Sequence, residues 1–357
     1  MIKSCYIHIP FCKNICSYCD FCKMYYNKDF INKYLLSLEK EIKLYYKNEV
    51  FNTLYIGGGT PSCLNKKELE KLFAIINIFK LNKTYEFTFE CNIEDINEKL
   101  LIFLKENKVN RISIGLQSFN KKYIEFMNRK YLNKKEITDK INLVKKYFNN
   151  INIDLIYGIN NETLKELQEE VKNFIELDVN HISLYSLILE DNTILKTKKY
   201  KEIDDDLNRK MYDYIRKTLK KNNYIHYEIS NFSKKGYMSK HNLCYWNNDN
   251  YYGFGLGASG FIENIRYTNT KSLNSYINGN YRYYEEKIDK KRNMEYEMIL
   301  NLRKIKGISK KKFYKKYNLN IKDVFDVSKL KENKYYFYIP KKYLFVENYI
   351  LSDFILD

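Results

Sequence analysis

The chain has 357 residues, 45% of them apolar, which is enough for one large α/β domain with a smaller companion and excludes a disordered ground state. It carries no charged-then-apolar leader and no apolar run of the ~18 to 20 residues that a membrane span needs, so a soluble cytosolic protein is expected. The formal charge of +18 invites nucleic acid, yet the lysines are spread along the chain beside an excess of Asn, Ile, Tyr and Phe, which reads as a solvated surface; only KGISKKKFYKKY, 306 to 317, sustains a basic nucleic-acid-binding module as an alternative.

Short β-rich runs alternate with helical patterns from the start of the chain. CYIHI (5 to 9) predicts the first strand, and four of the eight cysteines, Cys12, Cys16, Cys19 and Cys22, follow it directly. The other four, Cys5, Cys63, Cys91 and Cys244, are scattered, which is not the spacing of a disulfide scaffold; in a reducing compartment such crowding holds metal. A helix near 28 to 48 leads to the strand TLYIG (53 to 57), which ends in Gly57, Gly58 and Gly59, where backbone can approach a ligand closely. After a helix near 66 to 80 comes YEFTFEC (85 to 91), whose alternation sends Glu86, Thr88 and Glu90 in one direction. An inward Glu90 needs a partner, and a cationic ammonium is a natural one.

Helices near 96 to 107, 120 to 129, 136 to 148 and 163 to 177 separate three more strands, RISIG (111 to 115), INIDLIYG (151 to 158) and HISLYSL (181 to 187). Several of these runs are nearly continuously apolar, as in strands buried on both faces. Six such units predict an α/β fold, a partial (β/α)6 TIM-like barrel. A helix at 203 to 222, the strand-like YIHYEIS (224 to 230) and the glycine-rich GFGLGASG (253 to 260) come next. Beyond about residue 285, helical runs near 293 to 305 and 309 to 317 and the apolar YLFVENYILSDFIL predict a small, mainly helical C-terminal domain. The division expected is therefore 1–230 for the barrel, 231–285 for an extension and 286–357 for the C-terminal domain.

The cysteine loop would lie at the C-terminal face of such a barrel, where these folds carry their chemistry. A zinc site would need a closed tetrahedron, and the chain has no second CxxC or HxxxH, although Cys22 or His8 could complete a lone site. Cys12, Cys16 and Cys19 form C-x3-C-x2-C with Tyr18 inside it. Three thiolates on a four-iron cluster leave one iron open for a ligand.

This spacing resembles the radical S-adenosylmethionine (SAM) superfamily, in which the amino and carboxylate groups of SAM occupy the open iron. GGTP at 58 to 61 is similar to the family element that contacts the SAM amino group. Taken with Gln117, Arg129 and Asp154, the order of motifs resembles the oxygen-independent coproporphyrinogen III oxidase-like family, from residue 5 to about 270 and, through EYEMILNLRKIKGI (295 to 308), into its C-terminal domain. The resemblance implies a [4Fe-4S] cluster on Cys12, Cys16 and Cys19, and SAM held among Tyr6, Tyr18, Gly57, Gly58, Thr60, Glu90, Gln117, Arg129 and Asp154. The chain departs from the family at Asn92-Ile93 (usually Asn-Pro), at Asn128, Arg129 and Tyr131 (Gly-Arg-x-His), and at Ile159, Asn160 and Asn161 (Leu-Pro-Gly), loops where loss of Gly and Pro alters backbone freedom.

Two branches of that family differ at the loop. The oxidases carry a fourth cysteine in C-x-C, whereas the heme chaperone branch, HemW, has Asp-Phe there, and this chain reads Cys19-Asp20-Phe21. Only four residues precede Cys5, where the oxidases have a longer segment. HNLCYW (241 to 246) resembles the HNxxYW motif of the chaperone branch, which implies heme near His241, Asn242, Tyr245 and Trp246; imidazole ligates heme iron and aromatic rings suit a flat macrocycle. The implied partners are heme, a heme-acceptor protein and an electron donor for the cluster, with reductive SAM cleavage as the cofactor chemistry. The alternative is oxidative decarboxylation of coproporphyrinogen III in porphyrin biosynthesis. Cys22 falls one residue beyond the oxidases' extra cysteine and is expected not to bind the cluster.

Overall fold

The computed structural model describes residues 2–356. Six parallel strands follow one another in chain order across one sheet: β1 (Ser4–Ile9), β2 (Val50–Gly58), β3 (Lys80–Asn92), β4 (Arg111–Gln117), β5 (Ile151–Tyr157) and β6 (His181–Ser186). The helices between them are α1 (Lys28–Tyr45), α2 (Lys66–Ile76), α3 (Glu98–Glu106), α4 (Lys121–Phe126), α5 (Lys134–Tyr147) and α6 (Leu164–Glu176). Beyond β6 the sheet gains the short antiparallel β7 (Ile225–His226) and β8 (Asn231–Ser233), reached through α7 (Asp205–Lys221). On its other side β1 pairs in parallel with β9 (Tyr251–Phe254), and antiparallel β10 (Ser259–Ile262), β11 (Ile265–Asn269) and β12 (Arg282–Lys287) complete twelve strands. The end strands β12 and β7 do not pair with each other, so the barrel is partial and open.

The chain's surplus of asparagine has a local use. Asn27, Asn65, Asn97, Asn120 and Asn133 each stand at a helix N-cap and accept from backbone N–H groups of the first turn, and Asn65 with Glu68 and Asn133 with Glu136 close reciprocal capping boxes. The helices bury apolar stripes, such as Ile31, Leu35 and Leu38 of α1, against outward strand residues Ile7, Ile56, Phe89, Ile114 and Ile153 in one continuous core.

The strands are buried on both faces, but the two faces differ, which the apolar reading of the sequence did not anticipate. Inward positions carry Thr88, Arg111, Ser113, Asn152, His181 and Ser183, all buried and all polar. The inner face is polar because it lines a cavity rather than a packed barrel core.

The C-terminal part has the expected helices, α9 (Lys290–Leu302) and α10 (Lys310–Tyr317), after α8 (Lys240–Trp246). It also contains a three-stranded antiparallel sheet of Ile308–Ser309, Lys331–Glu332 and Tyr336–Tyr338, which its short segments hid from sequence reading. YLFVENYILSDFIL does not form one helix; it breaks into 3-10 turns at Lys341–Val346 and Ser352–Phe354 around a five-residue α-helix, none with a side-chain cap. Among the described residues no helix is long and apolar enough to cross a membrane.

Candidate functional site

The cysteine loop leaves β1 at Pro10 and is clipped shut by its own backbone. Met24 N–H donates to Pro10 O at 2.7 Å and Tyr26 N–H to Cys12 O at 2.8 Å, so Phe11–Cys12 and Met24–Tyr25 pair in parallel. Inside this clip His8 uses both ring nitrogens, one at 2.9 Å from Tyr6 OH and one at 2.7 Å from Cys22 O. Neither His8 nor Cys22 is therefore placed as a fourth metal ligand; Cys22 lies against Gly257, away from the cavity.

Cys12, Cys16 and Cys19 all line a cavity of about 400 Å³ at the C-terminal ends of the parallel strands. Among the described residues no group of three or more His, Cys, Asp or Glu side chains converges on one ion position. Three thiols at one cavity are the donor set that a four-iron cluster takes, each thiolate on a different iron. Burial pushes the Cys12 thiol up to about 11, with the Thr60 hydroxyl at 3.6 Å working against it, so iron must displace a proton there.

The triple glycine is required by sterics. A Cβ on Gly57 would meet the Glu90 carboxyl carbon at 2.6 Å, and Gly58, at φ +120°, would meet the His8 ring at 2.7 Å. In return Gly58 N–H donates to Glu90 Oε2 at 3.0 Å, and Tyr55 OH to Oε1 at 2.6 Å. Burial and then the nearby Asp154 push the Glu90 carboxyl up to about 7 against these hydrogen bonds. Asp154 is raised too, chiefly by burial, although Asn152 donates to its Oδ1 at 2.8 Å. Gln117 follows a break in the β4–β5 register and has φ +71°; its Oε1 is buried beside the cavity with no hydrogen-bond partner.

Arg129 ties the loop to the barrel. Its Nη2 donates to Gly115 O at 2.8 Å and Asn92 Oδ1 at 3.1 Å and lies 3.4 Å from Glu94, while Nη1 reaches Tyr18 OH at 3.5 Å and Cys16 Sγ at 3.9 Å. Burial opposes its charge, but Tyr18, Cys16 and Glu94 hold the guanidinium protonated. The neighbouring Asn128 stands at φ +55° where the family has glycine, and donates to Ile15 O at 2.8 Å; Asn161 likewise takes φ +65°. Asparagine tolerates this left-handed backbone, so the lost glycines do not distort the loops.

The predicted residues divide into two groups. Cys12, Cys16, Cys19, Tyr18, Gly58, Thr60, Glu90, Gln117, Arg129, Asp154 and Asn242 line the one cavity. Tyr6 and Gly57 support its wall from behind, Tyr6 through His8 and an aromatic contact with Tyr55. His241, Tyr245 and Trp246 do not line it. His241 is buried, with Nδ1 at 2.8 Å from Thr53 Oγ1, Nε2 at 2.8 Å from Tyr245 OH, and its ring stacked on Tyr55. Burial, reinforced by the Arg111 charge, lowers its pKa to about 3, so it stays neutral. Trp246 packs under the Arg303 guanidinium instead.

Sequence reasoning missed Glu86, which anchors α8 by accepting from Lys240 N–H at 3.1 Å and His241 N–H at 3.0 Å. It also missed Arg111, Ser113, Asn152 and Ser183 in the cavity wall. The period-two rule, applied outward from Gln117 and Asp154, finds the first three.

Known proteins place this arrangement. The family model described as "Radical SAM superfamily" matches residues 6–174. The chain is 40% identical to the heme chaperone HemW of Lactococcus lactis over 90% of this chain and 87% of that one, and 37% identical to the Bacillus subtilis HemW over 91% and 89%. The solved structure of Escherichia coli coproporphyrinogen III oxidase (HemN) superposes with a TM-score of 0.86 at 21% identity, covering 99% of this chain and 90% of that one, and shows the same fold. This chain belongs to the HemW family within the radical SAM superfamily.

Proposed function

We propose that the protein is a heme chaperone that carries a [4Fe-4S] cluster on Cys12, Cys16 and Cys19, binds SAM in the adjoining cavity, and passes heme to an acceptor protein in the cytoplasm. The observation that carries this reading is the 40% identity to a heme chaperone along nine-tenths of the chain. The cavity supports the cofactor part, because three thiol side chains share its lining with the carboxyls of Glu90 and Asp154, two arginines and the unpaired Gln117 Oε1. When bound, the cluster supplies one electron and an open iron position for SAM.

The chain's own residues do the rest. Glu90 and Asp154 offer oxygens to cationic or hydroxyl groups of SAM, Arg129 fixes the loop relative to β4, and Phe21, 65% exposed, gives the cavity mouth an apolar surface. Heme ligation through one nitrogen of His241 would require that nitrogen to give up its hydrogen bond to Thr53 or to Tyr245.

Anaerobic reconstitution followed by iron and sulfide analysis, then heme titration with transfer to an apo-hemoprotein, tests the proposal. Four irons and saturable heme uptake are expected. Conversion of coproporphyrinogen III to protoporphyrinogen IX at enzymatic rates would overturn it in favour of the oxidase.

A further inference from the structure

Two arginines line the cavity, and they differ in how their donors are used. Arg129 is engaged on both terminal nitrogens, including an ion pair with Glu94. Arg111, only 2% exposed, makes one long hydrogen bond of 3.5 Å from Nη1 to Thr88 Oγ1; its Nε has no partner, and no carboxylate lies within ion-pair distance among the described residues. A guanidinium buried this way is costly unless its charge balances another.

The other charges are at hand. Arg111 starts β4, opposite Thr88 on β3, and Glu90 is the next inward residue of β3. Asp154 occupies the inward face of β5, and both carboxyls share the cavity lining with Arg111, whose charge favours their anionic forms against the larger effect of burial. Glu90 also faces Tyr6 of β1, Tyr55 of β2 and Tyr185 of β6, while Asp154 faces Asn152, Ser183 and Arg129. On the far side His181 and His241 are neutral rings bonded to Asn152, Tyr227, Thr53 and Tyr245. Lys23 and Arg129 also line the cavity, from the cysteine loop and from the turn after α4, with Asp20 and Glu190 as further carboxyls; Arg111 is the cation that the strands themselves supply.

We propose that Arg111 is a positioning residue, a counter-cation held out of contact that favours the anionic forms of Glu90 and Asp154 while leaving the lone pairs not used by Tyr55, Gly58 and Asn152 to a cationic ligand. A contact pair such as Arg129–Glu94 would occupy those oxygens; a cation at a distance does not. The ligand meant is the sulfonium- and ammonium-bearing SAM, so the inference rests on the SAM part of the proposed function.

The test uses the full chain, reconstituted anaerobically, as wild type, Arg111→Met and Arg111→Lys, with iron content and thermal melting as folding checks. SAM affinity is measured by equilibrium dialysis across pH, with S-adenosylhomocysteine, which lacks the sulfonium, as the neutral comparison. In Arg111→Met the midpoint of the pH dependence moves up by about one unit, so SAM binds about tenfold more weakly at pH ~6 and converges with wild type by pH ~9; S-adenosylhomocysteine changes less, and Arg111→Lys restores the profile. Infrared pH titration of the carboxyl stretch without SAM, with Glu90→Gln and Asp154→Asn for assignment, shows the same upward shift. Equal weakening at every pH, or unmoved carboxyl titrations, overturns the proposal. If wild type takes up no SAM while the carboxyl titrations move as stated, the SAM reading fails and the counter-cation role of Arg111 stands.

Discussion

The cysteine loop and the histidine of helix α8 each belong to a short motif, yet they differ in how their polar groups are used. Around the loop, polar groups are left over: Gln117 Oε1 and Arg111 Nε have no partner, and three thiols share an open cavity. In α8 the motif's histidine has none left over, since both its nitrogens are bonded and the helix start is capped by Ser239 and Glu86. Trp246 Nε1 of the same motif is buried without a partner, so the saturation belongs to the histidine and not to the helix as a whole.

Breaking the loop has the largest consequence. Replacing Cys12, Cys16 and Cys19 together by Ala abolishes iron uptake, whereas Cys22→Ser retains it in full; iron and sulfide analysis after reconstitution reads both. Arg129→Met leaves Glu94 without its cation and removes the bonds to Asn92 and Gly115, so denaturant melts should show a loss of about 3 kcal/mol. A melt equal to wild type would mean the loop is held by its backbone alone.

Smaller effects test α8. His241 is held neutral with a pKa near 3, below its unfolded value, so its contribution is complete above about pH 6.5 and is lost as pH falls toward 3. Relative to His241→Gln, wild-type stability should decline by about 1.4 kcal/mol per pH unit below pH ~6.5, near 2 kcal/mol at pH ~5. Parallel pH profiles would show that His241 is exposed enough to protonate, and would restore it as a candidate heme ligand. Ser239→Ala removes the α8 cap and should lower stability by about 1 kcal/mol in thermal melts. Phe21→Ala, at an exposed position, should change stability by less than about 0.5 kcal/mol and should be detected only as weaker heme uptake.

The six βα units were legible in the sequence because strand composition and helical period agree at every step from Ser4 to Ser186. Cys12, Cys16, Cys19, Glu90, Arg129 and Asp154 were legible as a resemblance carried by motif order, and the structure gathers them at one cavity. Arg111 was not, because an arginine opening RISIG reads as a solvated strand end until the sheet curves over it. Glu86 was seen only as a neighbour of Glu90, since its partner, the start of α8, lies 154 residues away. His241 shows the converse: its motif was clear, but its hydrogen bond to Thr53 was not, because nothing local in the sequence connects the two.

The backbone clip that joins Pro10 to Met24 and Cys12 to Tyr26 bears on how the metal arrives. Closing a loop of this kind loses chain entropy, and the chain's own backbone hydrogen bonds, not metal ligation alone, stand against that loss. The three thiols then act at a high effective concentration toward an incoming iron–sulfur donor, so cluster assembly becomes a docking event between two shaped surfaces. Its rate should follow donor concentration and surface complementarity, not the search time of a flexible segment.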